Sequence, residues 1–184
     1  MRALPTAIPD VKVLVPDRHA DDRGFLSETW NRRAFDAVGI PHEFVQDIHC
    51  LSVATGTLRG LHFQRPPYAQ HKLIRVVRGA IMDVAVDLRR GSPTFARHVT
   101  VELSAEAWNQ VFVPIGFAHG YCTMAPNTEV IYKVSDRYAP DREGGLLWND
   151  PALGIDWPVS ARNAAISDRD RHLPPLAELT DVFE

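Results

Sequence analysis

The segment from Arg59 to Gly79, RGLHFQRPPYAQHKLIRVVRG, gathers two histidines, a lysine and two glutamines into one short run. Side chains of these types either ligate a metal or move a proton. A metal site on paired strands takes three or four nitrogen and oxygen ligands that converge on one ion. The usual source is a His-x-His pair, a following Glu and a third His on a later strand. Here His62 is followed by Phe63 and Gln64, and no Glu occurs between Gln64 and Gly79. His119, in PIGFAHGY, falls where the later histidine would be, but the rest of the ligand set is missing. No metal is expected. Proton transfer fits better, because His62 can accept a proton near neutral pH. Arg59 and Lys72 flank it and supply positive charge for an oxyanion or a phosphate. Alone, this signal is weak: a single strand histidine is more often structural, and so is a half-buried strand aromatic such as Tyr132 in TEVIYKV.

Such residues need a rigid frame, and the chain reads as one made of strands. The 14 prolines and 11 glycines are spread along it and punctuate short apolar segments. Strands are expected at Val11–Val15, Gly24–Trp30, Phe44–Ala54, Leu58–Phe63, His71–Val77, Ala80–Leu88, Ala96–Leu103, Gln110–Val113, His119–Met124 and Thr128–Val134. Several alternate strictly. In MDVAVDL, Asp83, Ala85 and Asp87 share one face, and Met82, Val84, Val86 and Leu88 the other. One short helix is expected in NRRAFDAVG, capped by Asn31 and stopped by Gly39, and the tail from Pro174 is a second candidate. Many short strands with turns about every ten residues imply an all-β sandwich or small barrel. A barrel of this kind binds its ligand in the mouth, between inward-facing positions of several strands.

Composition narrows the function classes. The 184 residues suit a single domain over 1–184, with no repeat or linker to divide them. A net charge of −3 without a basic block gives no nucleic-acid surface. No apolar run approaches the ~20 residues that span a bilayer. The proline-broken start MRALPTAIPDVKVLV is no secretory signal. Cys50 and Cys122 are too few for a disulfide framework and are expected as small apolar residues in a cytoplasmic protein.

Seven motifs sharpen the reading: RGLHFQ, AQHKL, GAIMDVAVDLRRGSPTF, VPIGFAHGY, YKVSDRYAP, LWNDPALGIDWP and SDRD, in this order and at this spacing. From near Pro9 to past Asp170 the chain resembles the dTDP-4-dehydrorhamnose 3,5-epimerases. The resemblance implies a cupin-type antiparallel jelly-roll barrel with short flanking helices. It implies a cofactor-independent enzyme that inverts carbons 3 and 5 of a dTDP-4-keto-6-deoxy sugar. Residue by residue, it makes His62 the general base, Asp170 its paired carboxylate, Lys72 the cation at the enolate oxygen and Tyr132 the acid on the opposite face. It assigns substrate binding to Arg23, Glu28, Gln46, Asp47, Arg59, His119, Glu143 and Arg169, and pairs two chains into a homodimer in which one completes the other's site. Phe25, Tyr138 and Trp148 are candidates for packing on the base or sugar. Asp83 is a candidate to orient His62 or Lys72, or else a structural carboxylate. Ile48 departs from the family, which usually has Asn there, and Arg169 replaces a frequent lysine. Three rivals remain at this point: a related epimerase that inverts carbon 3 or carbon 5 alone, a non-catalytic sugar-nucleotide binder, and a metal-bearing cupin.

Overall fold

The alternation in MDVAVDL is buried on both of its faces, so this strand lies inside the molecule rather than over solvent. That observation organises the rest of the computed structural model, which describes residues 1–180 and Phe183. The first seven strands are β1 (Arg2–Pro5), β2 (Lys12–Val15), β3 (His19–Asp21), β4 (Gly24–Leu26), β5 (Gln46–Ser52), β6 (Thr57–Gln64) and β7 (Lys72–Arg78). Then come β8 (Ala80–Asp87), β9 (His98–Ser104), β10 (Gln110–Val113), β11 (Phe117–Thr123), β12 (Thr128–Val134), β13 (Glu143–Gly145) and β14 (Ala165–Ile166). The helices are α1 (Arg32–Ala37) and α2 (Asp168–Arg171).

Two sheets face each other. One runs β1-β2-β10-β7-β12-β5, the other β13-β6-β11-β8-β9, with β14 beside β6 and β3-β4 forming a separate hairpin. Every pairing is antiparallel except β14 with β6. The first sheet sends Ile74, Val76, Val111, Val113 and Val130 inward to meet Ile81, Ala85, Val99, Leu103 and Phe117 of the second. Each such side chain contributes roughly 1.5–3 kcal/mol by leaving water. The outer face of the second sheet is covered in turn. Val84, Val86 and Leu88 pack with Leu61 and Phe63 against Leu146, Leu153 and Leu179 of the C-terminal part. This explains why β8 is apolar on one side and carries Asp83 and Ala85 on the other, yet is buried throughout.

Helix α1 covers part of the first sheet's outer face by seating Phe35, with Ile40, on Leu14, Leu73 and Phe112. Asn31 caps it, its side chain accepting the Ala34 N–H at 3.1 Å, and Gly39 ends it at φ +74°. Both were expected. Strands β10 and β12 match their expected bounds, and the other central strands differ only at their ends. The expected strand Gly24–Trp30 stops at Leu26, because its partner is the three-residue β3 rather than a sheet. Beyond Pro174 the described residues hold one 3-10 turn, Leu176–Glu178, and no α-helix, while residues 181, 182 and 184 of that expected helix lie outside the described residues. The second helix is α2 instead. No helix among the described residues is long and apolar enough to cross a membrane.

One close approach matters for the site. Gly60 on β6 lies at φ +123°, and a Cβ there would sit 2.6 Å from the Gly120 Cα and 2.9 Å from the His119 carbonyl oxygen. Any larger residue would push β6 off β11. The glycines of RGLH and AHGY therefore bring these two strands together where His62 and His119 stand opposite each other in register.

Candidate active site

Between the two sheets lies a cavity of about 440 Å³, and His62, Lys72, His119, Tyr132, Arg59 and Asp170 are on its wall. His62 Nε2 meets Asp170 Oδ1 at 2.8 Å. The carboxylate is held from two further sides. Its Oδ2 accepts the Gly60 N–H at 3.1 Å, and its own backbone N–H donates to Ser167 Oγ, the cap of α2, at 3.1 Å. Burial would raise the Asp170 pKa, but the hydrogen bond and charge of His62 outweigh it and hold the group below the ordinary aspartate value. Asp170 thus stays ionised and fixes the imidazole with its proton on Nε2, which leaves Nδ1 as the free lone pair.

Lys72, at the start of β7, extends its Nζ to the His62 carbonyl oxygen at 3.1 Å. Burial pushes its pKa down to about 8, against the upward pull of Asp83 and then Glu143. Tyr132 reaches the cavity from β12, in the opposite sheet to His62. Burial raises its phenol well above the ordinary tyrosine value, so it is protonated at neutral pH. Its hydroxyl accepts a weak bond from Cys50 Sγ at 3.9 Å.

Asp83 pairs with His119, not with His62: His119 Nε2 to Asp83 Oδ2 is 2.8 Å. It touches Lys72 only through its charge. Arg59 lines the cavity and is steadied by Ser52 Oγ (3.3 Å) and the Leu51 carbonyl (3.3 Å). At the mouth, Glu143 accepts from Tyr138 Oη at 2.7 Å and from Arg169 Nη2 at 2.8 Å. Burial would raise the Glu143 pKa, and these two partners overcome it and lower the value. Gln46, on the inward side of β5, accepts the Tyr138 N–H at 3.0 Å.

Other residues lie elsewhere in this chain. Asp47 points out of the opposite face of β5 and pairs with Lys133 at 2.9 Å. Arg23, on the β3–β4 turn, is exposed and pairs with Asp21. Glu28 borders a separate surface hollow with Asp17 and His19. Of the aromatic candidates, Tyr138 is at the mouth, Phe25 packs edge-on to Trp108 in the hairpin, and Trp148 is buried against Trp157 outside the second sheet. Trp148 is therefore a core residue and no platform for a ligand. Among the described residues, no group of three His, Cys, Asp or Glu side chains could hold one metal ion.

Two cavity residues escaped the sequence reading. Cys50, expected as a small apolar residue, lines the cavity, whereas Cys122 is buried. Tyr121 also lines the cavity. Alternation held both signals, since Tyr121 is two residues from His119 and Cys50 is paired across from Val130.

Two facing antiparallel sheets in this order, closed over a cavity, are a cupin-type jelly roll. Its wall carries a histidine held by a carboxylate, a half-buried lysine and a protonated tyrosine, a set suited to an isomerase that moves protons. A family model described as dTDP-4-dehydrorhamnose 3,5-epimerase matches residues 5–178, and the chain belongs to that family. A dTDP-4-dehydrorhamnose 3,5-epimerase of Pseudomonas aeruginosa is 49% identical over 184 residues, covering 100% of this chain and 99% of the relative. The crystal structure of the Bacillus anthracis enzyme of the same name, with TDP and PPi bound, superposes with a TM-score of 0.92 at 48% identity. That match covers 95% of this chain and 99% of the other. A dTDP-6-deoxy-D-glucose-3,5-epimerase from Legionella pneumophila, in complex with dTDP-4-keto-L-rhamnose, also gives a TM-score of 0.92 at 38% identity, covering 98% and 94%.

Proposed function

We propose that this isomerase inverts carbons 3 and 5 of dTDP-4-dehydro-6-deoxy-D-glucose to give dTDP-4-dehydro-L-rhamnose, with His62 as base and Tyr132 as acid. The observation that carries the proposal is that His62 and Tyr132 project from facing sheets into one cavity. Inversion requires a proton to leave one face of the sugar ring and return to the other. A base alone would restore the substrate.

Nδ1 of His62 takes the proton from carbon, and Asp170 stabilises the imidazolium that results. The electron pair left on carbon moves to the 4-keto oxygen, where the Lys72 ammonium meets the negative charge. A carbon next to a ketone is a far weaker acid than imidazolium, and each pKa unit of mismatch costs about 1.4 kcal/mol. Fixed charge at the oxygen offsets most of that cost. Tyr132 then protonates the opposite face. The ketone itself acidifies both neighbouring carbons, so this route uses no cofactor.

Arg59 and Arg169 suit the diphosphate, because a guanidinium fork binds phosphate oxygens two at a time. Gln46, His119 and Glu143 border the sugar. Arg23, Glu28 and Asp47, which lie off the cavity, serve a second copy of the chain in a homodimer. Support comes from the exposed Phe25 and Leu26 on the hairpin that carries Arg23, and from Leu51 and Val53, exposed at the sheet edge. Light scattering at micromolar concentration should give twice the chain mass; a monomer would count against this arrangement. Two unpaired cysteines fit a reducing cytoplasm.

The deciding experiment is incubation with the substrate in deuterated water. One deuterium should appear at carbon 3 and one at carbon 5. Label at a single carbon would mark a single-site epimerase, and none at either would remove the proposal. Tyr132→Phe separates the two proton steps. Wash-in should persist, returned by His62 to the face it left, while inversion falls by far more. Equal losses would take Tyr132 out of the mechanism.

A further inference from the structure

The wall beside Tyr132 carries a second phenol for which the reaction above has no use. Tyr121 lies on β11 two residues after His119, so alternation turns both side chains inward. Its ring is part of the core between the sheets, and Tyr132 packs against the same cluster. Tyr121 Oη is buried and, among the described residues, has no partner in hydrogen-bond geometry. Its polar neighbour Ser52 Oγ accepts from Arg59 Nε at 3.3 Å and interacts with the phenol only weakly, outside hydrogen-bond geometry. Nearly all buried hydroxyls in folded proteins are paired, and an orphan of this kind calls for a reason. One follows from the neighbour: when Tyr132 acts as an acid, it becomes a phenolate in a place that penalises charge.

We infer that Tyr121 is a positioning residue for the acid, its free O–H held in reserve to donate to the Tyr132 phenolate formed during inversion. The inference rests on Tyr132 being the acid. In that step the enolate's electron pair takes the phenolic proton, the ketone re-forms and the negative charge comes to rest on Tyr132 Oη. The His62 imidazolium afterwards gives its proton to solvent and the phenolate takes one back, so the site is reset without any other reactant. In the resting protein, Tyr132 Oη has only the weak Cys50 thiol at 3.9 Å. Burial first, and the Cys50 sulfur after it, push both phenols far above the ordinary tyrosine value, while Arg59 pulls both down. Tyr132 is also close enough for its charge to be felt at Tyr121. A hydrogen bond that forms only as charge appears assists the step without stabilising the resting state.

Tyr121→Phe keeps the ring and removes only the hydroxyl. Inversion should fall about tenfold to a hundredfold, the range expected for one hydrogen bond to a charged group. Deuterium wash-in at the His62 face and KM should stay within about twofold, and Tm should change little, since the ring and its packing are kept. In a Tyr132→Phe background, adding Tyr121→Phe should change the residual inversion no further, because no phenolate forms there. Wild-type inversion in Tyr121→Phe, or parallel losses of wash-in and inversion in both backgrounds, would overturn this inference alone. If Tyr132→Phe itself spared inversion, the acid assignment would fail and this inference with it.

Discussion

The cavity holds two histidine–aspartate pairs with the same contact distance, Nε2 to carboxylate at 2.8 Å, and they are built differently. His119 and Asp83 sit on adjacent strands of one sheet, and their side chains are 7% and 2% exposed. His62 is 29% exposed, and its partner arrives from α2, 108 residues away. Both line the cavity, but His62 is the more open of the two, so its free nitrogen has the better access to a ligand. What sets His62, the base proposed above, apart from His119 is therefore not the pair itself but access and an independently anchored carboxylate. Asp170 has that anchor in Gly60 N–H and in the Ser167 cap, while Asp83 instead adds charge near Lys72.

The difference can be broken most severely at His62. His62→Asn should lower both deuterium wash-in and inversion by at least ~10²–10⁴, the usual contribution of a general base, while dTDP binding measured by calorimetry is largely kept. Near wild-type wash-in would mean that the base is elsewhere. Asp170→Asn should cost less than loss of the imidazole but still roughly 10²-fold or more in kcat, since an amide can hold the ring in the wrong tautomer.

The pH profile sharpens the contrast. In the proposed reaction the ammonium of Lys72 is the form that meets the enolate, and its pKa is lowered to about 8. Activity that needs the charged form is present below that value and lost as pH rises through it. In the free enzyme, kcat/KM should therefore decline about tenfold per pH unit above pH ~8. A profile flat to pH 10 would contradict this. The smallest effect should come from Asp83→Asn. Asp83 is the first of the charges that pull the Lys72 pKa up, so its removal should move the alkaline limb to lower pH. Asp170→Asn should leave the limb where it is. Equal shifts from both variants would show that the two pairs are not separate in function.

Legibility from sequence followed the physical range of each signal. Strands β10 and β12 were readable to the residue, since QVFV is a short apolar run buried on both faces and Val130 and Val134 face the core with half-buried residues between them. Strands β1, β13 and β14 were not, because RALP, EGG and AI carry no such pattern and form only against a neighbour that is already in place. The helix α2 was hidden for a similar reason. Four residues, DRDR, have no apolar face, and a helix that short exists through its Ser167 cap and its docking on β6. For the site, His62, Lys72 and Tyr132 stand out in the sequence and do share the cavity, while nothing in the sequence singles out Tyr121, and Cys50 reads there as a small apolar residue.

By itself the sequence determined which side chains could do chemistry and which face of each strand would carry them. Both follow from residue type and from the two-residue period of an extended chain. It also determined the close approach of β6 and β11, since only glycine at 60 and 120 allows it. Tertiary structure alone decided the partnerships. His62 took Asp170 rather than Asp83, although Asp83 is far nearer in sequence, because β11 and His119 stand between β6 and β8 in the sheet. It also set His62 and Tyr132 on facing walls, since which sheet a strand joins depends on pairings many residues apart. Those pairings carry no local pattern, and they are what bring two ordinary strand residues to opposite walls of one cavity.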